Sequence, residues 1–432
     1  MFAPDYTEMP HWWEAAPRPG LAERALPRTL DVAVIGSGIT GLNAALELAR
    51  GGRSVAVFES GEAGQGASTR NAGYVGRSLK HDYGALLARH GRARAAAIYA
   101  EMQAANEAVF EVVAREAIDC DLERCGRLIL AHSPRQRDAL TAELRLKAEH
   151  LGEAFEMLGP DRLAGEIACG DRFVAGALIP DLAALHPGRY QLGLLRSVLA
   201  EGVPVLARTP VTAVSGGRGD LTVTTPRGAV RARAVLFATN GYTGEGAPPW
   251  LRQRVIPFDA WIFATEPLSP NQRAAILPAR RTFIDANHDI LFARHSPDGR
   301  RILFGGQTGA RTPVLKERIA ALHRMAARYL PGLAEVKVAQ GWTGRCAGTF
   351  DLYPHLHERD GVWFAGGYCF AGVPMGTYLG RKTAWQMLGQ ARGATVFAAR
   401  GFPTVPLYTG NPWFVPAVMR WWNAMDALAM RR

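Results

Sequence analysis

Gly36, Gly38 and Gly41 share a Gly-x-Gly-x-x-Gly spacing within VAVIGSGITGLNAALELARGGRSVAVFE (32–59), and an acid, Glu59, ends that segment. This set of residue types can hold a nucleotide pyrophosphate. Gly36 permits a tight turn, Gly38 lets phosphate approach the backbone, and Gly41 lets a helix pack closely on a strand. The phosphate charge would meet free N–H groups at the helix N-terminus, and Glu59 would accept hydrogen bonds from a ribose hydroxyl. Ser37, Ile39, Thr40 and Ser60 complete the candidate contact set. The elements that must position these residues are a strand, a turn, a helix and a second strand, and the hydrophobic pattern of 32–59 supplies all four. The motif leaves NAD and FAD open.

The chain has 432 residues, enough for two or three domains. Hydrophobic residues make up 48% and charged residues 21%, the balance of a globular enzyme rather than a disordered chain. No apolar run approaches the length of a membrane span, and the first 30 residues lack a signal-peptide core. A cytoplasmic protein with an N-terminal arm is the expectation. The five cysteines show no paired spacing, so neither a disulfide framework nor a metal site is expected. The net charge of +11 comes almost wholly from scattered arginines. Without a dense basic run, nucleic acid is not expected as a partner.

A glycine-rich loop follows Glu59. Helices are predicted over 84–118, 135–158, 188–201, 316–330 and 377–390. Strands are predicted at 126–131, through a meander ending in AVLFAT (234–239), over much of 255–306, and at VWFAG (362–366). Nucleotide-type elements thus occur at the start, middle and end of the chain. One discontinuous nucleotide domain with a second domain inserted in two pieces accounts for this.

What accompanies the first motif separates the two cofactors. The loop Ser68-Thr69-Arg70-Asn71-Ala72-Gly73, the turn ATNGYTG (238–244) and the segment AGGYCFAGVPMG (365–376) take the place of further βαβ units. With these the whole chain, from HWWEAAPRP to WFVPAVMRWWNAMDAL, resembles the FAD-dependent amine and amino-acid oxidoreductases. This is the D-amino-acid oxidase, glycine and sarcosine oxidase superfamily, and the resemblance is strongest to its γ-glutamylputrescine oxidase-like branch. It implies an α/β plus α+β fold, with a Rossmann-like FAD domain in three pieces (30–84, 180–248, 339–395). It also implies a β-rich substrate domain in two (85–179, 249–338), between an arm (1–29) and a packed tail (396–432).

The resemblance places Gly66, Ala67, Ser68, Arg70, Asn71, Ala72 and Gly73 against pyrophosphate and flavin, and Val211 beside adenine. It places Thr239, Asn240 and Gly241 over the cofactor, and Trp342 and Gly344 before the last sheet strands. Gly367, Phe370, Ala371, Gly372, Val373 and Pro374 would run along the pyrimidine edge of the flavin, where backbone N–H groups meet developing negative charge. The implied reaction is hydride transfer from an amine α-carbon to flavin N5, giving an imine that hydrolyses. O2 is the expected acceptor, with peroxide as product. A dehydrogenase using another acceptor and an RNA-modifying flavoprotein are the alternatives. RILFGGQ (301–307) lacks the lysine found in the sarcosine-oxidase branch. The first loop lacks a histidine and Gly344 stands at a cysteine position, so non-covalent FAD is expected. Candidate substrate residues are Tyr74, Trp261, His288, Arg345, Tyr368 and Cys369. Aromatic rings could cage an amine, Arg345 could clamp a carboxylate, and His288 beside Asp289 could form an acid–base pair. Trp261 also alternates with Phe263 as a core strand would. No catalytic pair is assigned, because such chemistry depends on positioning and exclusion of water.

Overall fold

The computed structural model describes residues 1–310, 314–398 and 401–430. Two large sheets organise it. In the first, parallel strands run in the order Val205–Leu206, Val55–Phe58, Thr29–Ile35, Gly228–Phe237, Val362–Gly366, and His355–Arg359 closes one edge antiparallel. The near-continuous apolar runs VAVI, VAVF and AVLF form its centre, as a sheet covered on both faces requires. Val34 pairs with Val57 on one side and Leu236 on the other, and Leu236 pairs with Trp363. The register aligns the carboxyl ends of these strands, where α/β sheets bind ligands. The meander Ala213–Gly217, Asp220–Thr225 runs onto the first half of Gly228–Phe237.

The second sheet has nine strands. From one edge these are Phe2–Thr7, Val338–Gly348, Ile256–Thr265, Ile302–Gly309, Phe292–His295, Thr282–Asp285, Arg127–Ala131, Ala175–Ile179 and Glu156–Leu158. Its apolar face packs against the helix Leu315–Tyr329 through Phe263, Phe304, Ile319 and Leu322.

Helix Ile39–Arg50 is buried on nearly every side. Leu42 and Leu46 share a core with Met102 and Val109 of helix Tyr83–Arg115 and with Met375 and Leu379 of helix Gly372–Met387. Each of these side chains contributes about 1.5–3 kcal/mol on burial. The helix ends where Gly52 takes φ +76 and Arg53 N–H closes onto Leu48 O.

Several boundaries differ from the sequence reading. The chain start is more than an arm, because Phe2–Thr7 pairs parallel with Val338–Gly348. That 11-residue strand belongs wholly to the nine-stranded sheet, so the return to the nucleotide sheet comes after Gly348 rather than at 339. The predicted helix 135–158 stops at Leu151, because Gly152 adopts φ +70, and Glu156–Leu158 forms a strand. The helix predicted over 377–390 starts at Gly372 rather than 377. Pro374 suggests a later start, but in the first turn its missing N–H costs nothing.

Candidate active site

A cavity of about 790 Å³ opens at the carboxyl ends of the parallel strands, between the two sheets. Ile35, Phe58 and Phe237 reach it from the first sheet, and Ala260, Ile262, Phe292 and Gly306 from the second. Its volume lies towards the upper end of the range for cofactor and ligand sites.

The glycine turn forms one end. Gly36 adopts φ +106, and a Cβ on Gly41 would lie 1.9 Å from Gly36 O, so the helix starts in van der Waals contact with the turn. Ile39 N–H at the helix start donates to Ser68 Oγ (2.9 Å). Glu59 is held in place by its neighbours: Ser37 N–H (3.0 Å) and Ser37 Oγ–H (2.6 Å) both donate to Oε2.

Three tryptophans hold the 66–73 loop from behind. Trp12 Nε1 donates to Asn71 O (2.8 Å), Trp13 Nε1 to Thr69 Oγ1 (2.9 Å) and Trp342 Nε1 to Arg70 O (2.8 Å). Asn71 braces the loop from within, donating to Ala67 O and Ser68 O and accepting from Gly73 N–H. The aromatic arm is thus a strut for the loop that faces the cavity. Trp12→Phe is expected to weaken FAD retention about tenfold by leaving the Asn71 carbonyl unpaired. Titration of apoprotein with FAD checks this, and an unchanged affinity would contradict it.

A second helix N-terminus faces the same cavity. Helix Gly372–Met387 presents the N–H groups of Gly372 and Val373, while Pro374 carries none. Tyr368 joins the two helix starts through a 2.7 Å hydrogen bond with Thr40 Oγ1. Just before this helix, Cys369 (φ 44) and Phe370 (φ 79) are both left-handed without being glycine, a strained pair at the cavity wall. Burial pushes the Cys369 thiol up to about 11 and the Cys346 thiol to about 12, so both stand as neutral thiols.

Among the cofactor candidates, all line the cavity except Ser37, Gly41, Gly73, Gly241, Trp342 and Gly367. Those six stand behind the wall. Gly241, for example, lies against Cys346 O, where a Cβ would come to 2.3 Å.

Four of the six substrate candidates line the cavity: Tyr74, Arg345, Tyr368 and Cys369. Tyr74 offers only its ring, because its hydroxyl is bonded to Ala293 O (2.7 Å) and Phe283 O (3.1 Å). Arg345 is already paired with Asp259 across the strands (Nε–Oδ1 3.1 Å). Trp261 points to the opposite sheet face, 1% exposed in the second core, as strand alternation dictates. His288 is also outside the lining, and it does not pair with Asp289. Its Nδ1 faces Asp426 Oδ1 (2.6 Å) on helix Val415–Ala429, while Asp289 Oδ1 accepts from Thr308 N–H and Oγ1–H. Lining residues that the sequence did not single out include Lys80, Arg127, Tyr242 and Asp259. Arg127 and Asp259 lie far in sequence from the recognisable motifs, Lys80 follows the first loop without belonging to it, and Tyr242 sits within ATNGYTG (238–244) beside the small residues that drew attention there.

The donor set fits a dinucleotide: two convergent helix N-termini, a glycine cradle, a fixed acid and a long cavity. No helix of the described residues is long and apolar enough to cross a membrane. Gamma-glutamylputrescine oxidoreductase of Escherichia coli is 29% identical over 390 residues, covering 90% of each chain. Glycine oxidase of Bacillus licheniformis is 27% identical, covering 83% of this chain and 93% of its own. The crystal structure of glycine oxidase from Geobacillus kaustophilus superposes with a TM-score of 0.71 at 21% identity, covering 88% of this chain and 99% of that one. The model of the FAD dependent oxidoreductase family matches residues 31–386, most of the chain and every segment that lines the cavity. The chain therefore belongs to the FAD dependent oxidoreductase family, and FAD is its cofactor.

Proposed function

We propose that the protein oxidises the C–N bond of a small amine or amino acid, with non-covalent FAD and O2 as acceptor. The observation that carries this reading is the convergence of two helix N-termini on one cavity that continues past them into a pocket walled by Tyr74, Ile290 and Phe292. Relatives named as glycine oxidase and gamma-glutamylputrescine oxidoreductase support an amine as the donor. FAD, when bound, supplies the two-electron acceptor for the carbon beside nitrogen.

The chain does the rest by positioning. Ser68, Asn71 and the Gly36–Gly41 turn would hold the pyrophosphate, Glu59 the ribose, and Val211 the adenine. Gly372 and Val373 N–H groups would face the pyrimidine edge and stabilise negative charge there. Tyr74, Tyr368 and Phe292 exclude water from the pocket, which strengthens these electrostatic effects. Among the described residues no histidine lines the cavity, and the hydroxyls of Tyr74 and Tyr368 are both engaged. Orientation, rather than a histidine or either of these two tyrosines, is the contribution proposed for the chain.

The test is turnover in air. One peroxide should form for each carbonyl product, and acid precipitation should release all flavin to the supernatant. Turnover with an artificial acceptor but without peroxide would overturn the choice of O2. A yellow pellet would overturn non-covalent attachment.

A further inference from the structure

We infer that the helix Val415–Ala429 lays its outer face on a bilayer surface that carries anionic phospholipid. Six of the eleven large apolar side chains that are exposed among the described residues lie within 405–428: Val405, Leu407, Trp413, Trp421, Met425 and Leu428. Leu407 is 93% exposed, Trp413 71% and Trp421 62%. Scattered exposed apolar residues are ordinary, but a cluster of large ones marks an interaction surface.

The helix is turned opposite to the usual amphipathic pattern. At about 100° per residue, Ala417, Trp421, Ala424, Met425 and Leu428 fall within one arc, and all five are exposed. Val415, Met419 and Asp426 fall on the far side and are buried. A surface helix ordinarily keeps its carboxylates in water and its apolar stripe on the protein. Here Asp426 faces inward. It accepts from the backbone N–H groups of His288 (2.9 Å) and Asp289 (3.1 Å), and His288 Nδ1 lies 2.6 Å away. Ser133 Oγ–H donates to Ala429 O (2.6 Å) and Thr308 Oγ1–H to Met419 Sδ (3.4 Å). These bonds fix the rotation of the helix and hold the apolar stripe outward.

The chemistry of the outer face selects its occupant. Arg420 and Asn423 are the exposed polar residues of the helix, and its one carboxylate is the buried Asp426. Arg431 and Arg432 follow in the sequence. Tryptophan and leucine beside arginine suit the boundary between acyl chains and anionic headgroups. A second copy of the chain fits less well. At about 1.5 Å per residue the helix is about 22 Å long, and with a width of about 10 Å its footprint is about 220 Å². A stable protein interface takes about 800 Å² per partner. An isologous pairing would also bring two basic faces together without an acid. A bilayer has no such threshold, because binding scales with the apolar area inserted. On the inner side Trp422 lies over Lys80 (5.4 Å), which lines the cavity. Docking would therefore set this side of the cavity beside the bilayer.

The experiment sediments the FAD-loaded full chain with vesicles of phosphatidylcholine alone and of phosphatidylcholine mixed with phosphatidylglycerol. Wild type should co-sediment with the mixed vesicles and bind the neutral ones more weakly. Trp421→Ser combined with Leu428→Ser should lose about 100-fold in affinity for the mixed vesicles. Flavin content and thermal stability should be kept, since both side chains are exposed. If the double variant does not hold its flavin, Arg420→Glu decides, with an expected loss of about tenfold on the mixed vesicles. Wild type that stays in the supernatant, or that binds both vesicle types equally, would overturn the assignment. Variants that bind as wild type does would show that net charge alone draws the protein, and would overturn it too. A wild-type dimer in analytical ultracentrifugation that the double variant breaks would give the face to a second copy instead.

Discussion

Gly41→Val is expected to yield a protein that no longer retains FAD. A Cβ at this position would sit 1.9 Å from Gly36 O, 3.1 Å from Gly36 C and 3.2 Å from Val34 Cγ1. The obstacle is backbone on the turn itself, so no side chain can swing aside. The helix Ile39–Arg50 would have to lift away from the strand Thr29–Ile35, and its first N–H groups would leave the place where phosphate must sit. Overpacking of this severity costs about 3 kcal/mol, equivalent to a loss of about 100-fold in FAD affinity. The flavin-to-protein ratio after gel filtration reads the effect. Gly20→Val serves as the control, since nothing lies within 4 Å of a Cβ there. A yellow Gly41→Val protein at the wild-type ratio would contradict the argument.

Glu47→Ala is expected to be the most destabilising change away from the cavity. Glu47 is 6% exposed in the middle of the same helix. Its carboxylate accepts from Arg115 Nη1 (2.7 Å) on helix Tyr83–Arg115 and from Trp385 Nε1 (2.8 Å) on helix Gly372–Met387. Arg381 Nε stands 3.6 Å away on that last helix. One side chain thus ties together three helices drawn from distant parts of the chain. Its removal leaves a buried indole N–H without an acceptor, while Arg115 keeps Glu116 and Arg381 keeps Glu111, a loss of about 1–3 kcal/mol. The urea midpoint should fall accordingly with an unchanged slope. An unfolding free energy within about 0.5 kcal/mol of wild type would show that the network contributes little.

The nucleotide half of the fold was legible because its signals are local. A buried strand, a glycine turn and a helix occupy adjacent residues, and the returning segments at 238–244 and 365–376 carry their own small-residue signatures. The second sheet was less legible at its ends. Phe2–Thr7 contains a proline, buries only Ala3 and shows no regular alternation, and it forms because Val338–Gly348 offers an edge. Val338–Gly348 contains three glycines in its 11 residues, which weakens its strand signal. Side-chain direction was the main obstacle at the site. Trp261 and Ile262 are neighbours in sequence, yet only Ile262 meets the cavity. His288 suggested a partner in the adjacent Asp289, and the fold supplied Asp426 from a helix 138 residues away. Arg127, Lys80 and Asp259 reach the cavity through tertiary packing alone.

The most direct test of the account is anaerobic titration of the purified yellow protein with primary, secondary and N-alkyl amines, each with and without a carboxylate. The account predicts that an amine or amino acid of this panel bleaches the flavin in a single two-electron step, and that admitting air restores the colour. A flavin that stays oxidised against the entire panel, in protein that carries full FAD, would contradict it.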